Sequence, residues 1–285
     1  MLKHDASNSP ASEWQSEVSR GERFRFGENW KAYAEGIDEA KLAAAEAELK
    51  TMLGVQSLAG KRLLDIGCGS GVHAVAAARM GASVTAVDFD VDSVECTSRV
   101  LGRYAAGHDF RVVRGSVLDA AFMRSLGTYD VVYSWGVLHH TGGLLAALEN
   151  ASAAVAAAPG SMFAIALYSR TMFDALWIRE KALYAAAPPS VQWTIRKLWM
   201  SKTRLSFFVR RKSYSKMVAD YGGARGMDFE RDAHDWLGGY PYEPINPSEV
   251  LALVVPKGFQ LPWLNCVDRT FGLSSGCDEY RFVRS

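Results

Sequence analysis

The segment Leu63–Gly71, LLDIGCGSG, constrains this chain more than any other. A short apolar run reads as a buried strand that ends at Asp65-Ile66 and turns through Gly67-Cys68-Gly69-Ser70-Gly71 into an alanine-rich helix, Val72–Met80. Glycine has no Cβ, so such a turn can adopt positive φ and admit a ligand close to the backbone. In open α/β sheets, ligands bind at this carboxyl edge of the strands. A dinucleotide loop, G-x-G-x-x-G, would require glycine at position 72, where this chain has Val72. The spacing here is G-x-G-x-G preceded by an acidic residue. It suits a ligand without a pyrophosphate and with a cationic amino group, which Asp65 would hold directly or through water.

The rest of the chain follows the same rhythm. Strands are expected at Arg62–Ile66, Ser83–Val87, Phe110–Arg114, Tyr129–Ser134 and Ser161–Tyr168, with helices at Asp92–Ala106 and Leu144–Ala157. This alternation predicts a parallel, doubly wound sheet. Upstream, DEAKLAAAEAELKTML predicts a helix over Asp38–Leu53, with Asp38 as N-cap and Gly54 past its end. Residues 1–20 are polar and expected to be flexible. Residues 21–285 read as one domain with an N-terminal helical lid over 21–58. Ser169–Pro247 breaks the rhythm and is expected to form a cap inserted on the acceptor side. The core pattern returns with a helix at Pro247–Val255 and strands at Gly258–Val267 and Glu279–Arg284.

Asp88 ends the second strand, seventeen residues past Gly71, where a carboxylate can accept two hydrogen bonds from ribose hydroxyls. Phe89 follows and would cover an adenine. Ser116-Val117, after the third strand, would flank it. Ser134-Trp135, ending the fourth strand, would lie beside an amino-acid moiety.

On LLDIGCGSG and Asp88, the chain resembles the class I S-adenosylmethionine (SAM)-dependent methyltransferases, in particular the broad ubiquinone/menaquinone (type 11) group. The motif-level match covers residues 60–168. Many members carry Asp at the adenine-facing position of the third loop, where this chain has Ser116. The segments FRFGENW, YSWGVLHHTG, RGM and DWLGGYPYE also resemble bacterial methyltransferases of largely unassigned substrate. The resemblance implies a Rossmann-like sheet, mostly parallel with an antiparallel last strand, and a helical and loop cap. It implies SAM as cofactor, held by Asp65, Gly67, Cys68, Gly69, Gly71, Asp88, Phe89, Ser116, Val117, Ser134, Trp135 and Trp30.

Methyl transfer from a sulfonium is an in-line displacement, so the acceptor must be aligned and water excluded. Three segments are candidates for that work. His139 and His140 follow the fourth strand, and His140, or failing that His139, is the candidate general base; the plainer alternative is that one of them caps or packs the loop. Phe24, Phe26, Trp30 and Tyr33 in FRFGENWKAY would fold over a sulfonium, or simply pack on the first helix. Arg225–Glu243 offers Arg225, His234, Trp236, Tyr240 and Tyr242 as acceptor contacts, or forms a surface loop stapled by its aromatics.

Charge narrows the partners. The formal net charge is +1, yet Lys181–Ala219 carries nine Lys or Arg and no Asp or Glu, leaving +1 − 9 = −8 for the rest. This basic island would attract an anionic acceptor, or dock on a membrane surface or an acidic carrier protein. An RNA-modifying enzyme and a SAM-binding regulator without catalysis are the competing readings, and nucleic acid has no support from the overall charge. The four cysteines form no CxxC pair and no metal-ligand pattern, so no metal is expected and a cytoplasmic setting is. The N-terminus lacks the apolar core of a signal peptide, and no run of apolar residues is long enough to span a bilayer. Calorimetry should therefore show one equivalent of SAM bound and no binding of NAD.

Overall fold

The computed structural model describes residues 10–225, 229–267 and 276–285. Three helices come first: α1 (Pro10–Ser19), α2 (Phe26–Ala34) and α3 (Glu39–Leu53). Asp38 caps α3 by accepting from the Lys41 N–H at 2.9 Å. Residues 10–19, expected to be flexible, are helical because Trp14 is buried and gives the segment an apolar anchor.

The alternating core then runs β1 (Arg62–Ile66), α4 (Val72–Arg79), β2 (Ser83–Asp88), α5 (Val91–Tyr104), β3 (Phe110–Arg114), α6 (Ala120–Ser125), β4 (Val131–Trp135), a 3₁₀ turn at Leu138–His140, α7 (Leu144–Ala153) and β5 (Met162–Tyr168). Four helices fill the interruption: α8 (Asp174–Ala186), α9 (Pro189–Val209), α10 (Tyr214–Arg225) and α11 (Phe229–Gly238). Then α12 (Pro247–Val254), β6 (Phe259–Asn265) and β7 (Cys277–Arg284) complete the described core.

The seven strands form one sheet in the order β3-β2-β1-β4-β5-β7-β6. Strands β1 to β5 pair in parallel, and β7 lies antiparallel between β5 and β6. The strand order reverses between β1 and β4, which opens a crevice at their carboxyl ends. Tyr129, expected to start β4, instead forms a separate bridge with Val155, and that turn also ends α7 earlier than its composition suggests.

Both faces of the sheet are covered. One core layer joins β1, β2 and β4 to α3, α4 and α5 through residues such as Leu42, Leu49, Leu63 and Val84. The other joins the sheet to α7 and α12 through Leu64, Val132, Leu148, Phe163 and Val250. Strands buried on both faces explain the near-continuous apolar runs at RLLDI and MFAIALY. Phe163 is fully buried, with its ring 6.2 Å from that of Phe259 and 6.3 Å from that of Phe282. Phe163→Ala removes the residue that joins β5 to β6 and β7, and should lower the unfolding free energy by about 3–5 kcal/mol in denaturant titration.

Candidate active site

A cavity of about 810 Å³ opens at the carboxyl edge of the sheet. Its floor is the turn from β1 to α4. Gly67 and Gly69 have φ of +78° and +52°, so a side chain would be strained at either. Space is short as well: a Cβ on Gly67 would lie 2.4 Å from Val137, which would have to move, and one on Gly69 would crowd the Trp30 ring nitrogen at 3.0 Å. The Gly67 and Cys68 N–H groups donate to Val87 O at 2.7 and 3.2 Å, which ties the turn to β2.

This tie sets two carboxylates side by side. Asp65 is 3% exposed and lines the cavity. Among the described residues, none hydrogen-bonds its carboxylate, and burial pushes its pKa up to about 7. Asp88, at the end of β2, accepts from the Gly69 N–H at 3.1 Å and the Asp90 N–H at 2.9 Å. Burial raises it to about 6 despite those two donors. A carboxylate has about four lone-pair sites, so two remain for a ligand.

Around this pair, Cys68, Phe89, Ser116, Val117, Trp135 and Trp30 all line the cavity, as the sequence suggests. Gly71 stands behind the wall as N-cap of α4. Ser134 is a correction: it is fully buried, donates to Ile66 O at 2.9 Å and takes no part in the wall. Side chains alternate along a strand, and on β4 it is Tyr133 and Trp135 that face the cavity. Trp135 is in turn fixed by a 2.7 Å hydrogen bond from its ring nitrogen to Glu279 of β7.

The two histidines part company. His140 lines the cavity, and its Nδ1 lies 2.6 Å from Pro241 O, to which it donates. Burial holds its pKa down at about 3, so the ring is neutral at any working pH. His139 does not reach the cavity. It is fully buried, its Nδ1 accepts from the Tyr168 N–H at 3.3 Å, and its Nε2 has no partner. The two rings meet edge to face with centroids 4.3 Å apart, and only that of His140 is on the cavity wall.

Of the proposed acceptor contacts on the insert, Trp236 lines the cavity. Its carbonyl accepts from the buried Lys181 ammonium, which also lies 4.3 Å from its ring centroid. His234, Tyr240 and Tyr242 form no part of the wall. His234 is 2.7 Å from the Tyr184 hydroxyl and edges onto Phe24; Tyr240 O accepts from the Phe24 N–H at 3.0 Å. Tyr242 is buried, 5.3 Å ring to ring from Tyr168. The Arg225 side chain lies outside the described residues. The helical spacing of α11 decides this: one face turns His234 toward α8, while Asp232, Asp235 and Trp236 face the cavity.

Several wall residues escaped the sequence reading. Tyr168 ends β5 on the same edge as Asp65 and Asp88, and that position was its only signal. Asp90 accepts from the Gly27 N–H at 2.9 Å and pins the start of α2. Asn29 donates to Asp235 at 2.8 Å, joining α2 to α11. Arg23 donates to His140 O at 3.1 Å and Thr141 O at 3.0 Å, pairs with Glu17 and lies 5.3 Å from the Phe89 ring centroid. Its signal was a lone arginine before FRFGENW, too common to interpret. Among the described residues, no His, Cys, Asp and Glu side chains group as a metal site.

The comparisons with known proteins agree with this geometry. Residues 38–224 match the methyltransferase-domain family, more than half of the chain, and the protein belongs to that family. It is 32% identical over 130 residues to a ubiquinone biosynthesis O-methyltransferase of Methylobacterium sp. (strain 4-46), covering 46% of this chain and 50% of that protein. It is 33% identical over 96 residues to the Vibrio campbellii protein of that name, covering 34% and 40%. The chain thus spans half or less of the length of these curated relatives. Among solved structures it is similar to magnesium protoporphyrin IX methyltransferase from Synechocystis PCC 6803 with bound SAH. That match has a TM-score of 0.56 at 13% identity, over 95% of this chain and 100% of that one. An O-methyltransferase family protein from Burkholderia thailandensis matches with a TM-score of 0.54 at 14% identity, over 100% of this chain and 74% of that one. The fold is that of the class I methyltransferases, whose cofactor is SAM.

The Arg23 side chain bridges the segment before α2, the loop after β4 and the loop after β2. Arg23→Ala should speed amide hydrogen exchange across residues 14–35 and leave exchange in β1, β4 and β5 unchanged.

Proposed function

We propose that the protein transfers the methyl group of SAM to an O, N or C atom of a small-molecule acceptor that is neutral or cationic. The observation that carries this reading is the glycine cradle with two carboxylates at neighbouring strand ends, Asp65 buried and, among the described residues, with no hydrogen-bond donor to it. Such a pair is costly unless a ligand answers it. SAM fits: it presents an ammonium for Asp65 and ribose hydroxyls for Asp88, and it supplies a methyl group on a positively charged sulfur.

The chain's own residues supply placement. Gly67 and Gly69 let the ligand lie against the backbone. Phe89 and the Ser116–Val117 loop flank the adenine side, with the Leu118 N–H donating to Ser116 Oγ at 3.2 Å to hold the loop. Trp30, Phe26, Tyr168 and Trp236 exclude water from the acceptor end, where proximity can contribute up to about 7–11 kcal/mol. His140, neutral and pinned to Pro241, shapes that end. An imidazole with a pKa near 3 is poorly matched to take up a proton near neutrality.

The cavity wall favours a neutral or cationic acceptor over an anionic one. Asp232, Asp235, Glu279 and Glu48 line it together with Asp65 and Asp88, whereas none of the nine basic residues of 181–219 does. Two cations, Arg23 and Lys41, line it as well, against seven carboxylates, so the wall is acidic on balance and the basic island contributes nothing to it. The four cysteines are all free, which supports a cytoplasmic setting. Residues 169–247 read as a cap because α11 closes one side of the cavity.

SAM titrations across pH test the reading. Ammonium binding needs ionised Asp65, so affinity should fall as pH drops below about 7, and Asp65→Asn should flatten that acid limb. Asp88→Ala should weaken SAM binding by about 1–3 kcal/mol. The linkage has the opposite sign for the free protein. Asp65 has a folded pKa above its unfolded value of about 4, so ionising it opposes folding, and stability should decline as pH rises from about 4 through 7. Unchanged SAM affinity in both variants would overturn the site.

A further inference from the structure

The helices of the insert that do not line the cavity carry most of the exposed apolar surface. Of the fifteen large hydrophobic side chains exposed among the described residues, eleven lie in residues 172–218. Helix α9 runs for 21 residues and buries none of them. Val191, Leu198 and Leu205 recur every seven residues on it, so they share one stripe, which Phe208 and Val209 extend. Exposures of 66% at Leu198, 61% at Leu205 and 78% at Phe208 show that this stripe faces solvent. The opposite side of α9 packs on the cap, with Trp199 5.6 Å from Phe229 and 6.0 Å from Trp236. Leu176 and Leu183 of α8 and Trp193 of α9 are exposed as well.

Cations border this apolar surface. Arg196 and Lys197 pair with Glu230. Lys202, Arg204, Arg210, Arg211, Lys212 and Lys216 have no ion pair among the described residues. A stripe of exposed Leu, Val and Phe edged by unpaired Lys and Arg has the composition of a helix that lies in the headgroup layer of a bilayer. It does not cross one: no helix among the described residues is long and apolar enough.

We infer that α8 and α9 form a docking face for an anionic phospholipid surface, with the apolar stripe of α9 in the acyl boundary and its cations on the headgroups. Charge complementarity and the aliphatic character of the stripe together select this occupant. Of the five residues of the stripe only Phe208 has a flat face for stacking nucleobases, whereas single-stranded nucleic acid sites stack several bases in succession. A folded acidic protein would need a matched apolar patch, whereas a bilayer accepts such side chains without one. The face lies one helix from the cavity, because α11 packs on both α8 and α9 and carries Asp232, Asp235 and Trp236 to the wall. The docking face stands independently of methyl transfer.

Flotation of the full chain with phosphatidylcholine vesicles, with and without phosphatidylglycerol, tests the proposal. Binding should require phosphatidylglycerol and weaken as salt is raised. Each cation near an anionic surface is worth about fivefold, so a Lys202→Gln, Arg204→Gln, Lys212→Gln triple variant should lose roughly a hundredfold in vesicle affinity. Leu205→Ser with Phe208→Ser should also release the protein from vesicles. All five residues lie away from the cavity, so both variants should keep wild-type SAM binding and helix content, which separates docking from folding and from the cofactor site. Equal flotation on both vesicle types, or unchanged affinity in the triple variant, overturns the proposal. So does a wild-type protein that floats with neither and instead sediments as a dimer through this face or binds RNA.

Discussion

Two carboxylates at the ends of neighbouring strands, both on the cavity wall, are the constraint around which the site is organised. Asp65 and Asp88 end adjacent parallel strands, and the register that pairs Asp65 with Ala86 and Ile66 with Val87 leaves no freedom to separate them. Burial raises both pKa values, to about 7 and about 6. The protein answers Asp88 with the N–H groups of Gly69 and Asp90, while among the described residues no hydrogen-bond donor reaches Asp65. A site that is incomplete in this way favours whatever brings a positive charge to Asp65. The glycines serve this arrangement, since the turn they form donates to Val87 and holds the two strand ends in place.

The rest of the cavity is assembled from pieces distant in sequence. Helix α2 is fixed at its start by Asp90, along its length by Asn29 to Asp235 and just before it by Arg23. These polar links join the N-terminal segment to loops after β2 and β4 and to the insert. Cation–π and edge-on aromatic contacts fill the spaces between them, as between Arg23 and Phe89 and between Phe24 and His234. The cavity is therefore a joint property of four segments, and each segment alone would leave the carboxylates open to water.

Charge is divided by location. The carboxylates face inward, and the unpaired cations of α9 and the segment after it face outward on the far side of α11. Only Lys181, of the nine basic residues in the island, is buried, and it is held by the Trp236 carbonyl and the faces of Trp236 and Tyr242. Basic residues and cavity wall thus belong to different surfaces of the same insert, although they are neighbours in sequence.

The local signals in this chain were sufficient for the sheet. Apolar runs separated by helical segments, a glycine turn after RLLDI and an acid at the end of the next strand determine where β1, α4 and β2 lie and which edge binds ligand, because each depends on short-range pattern and backbone geometry. The N-cap at Asp38 and the cavity-wall residues Trp30, Phe89 and Ser116 followed from the same reasoning. What tertiary structure alone decided was facing. Whether Ser134 or Trp135 meets the cavity depends on the sense of β4's pleat against its neighbours. Whether His139 or His140 does depends on how Pro241 approaches the loop. In the insert, composition marked aromatic and basic residues, yet the rotation of α11 placed Asp232 and Asp235 inward with Trp236 and turned His234 away. Such choices are set by packing between elements far apart in the chain, and no periodicity within a single segment encodes them.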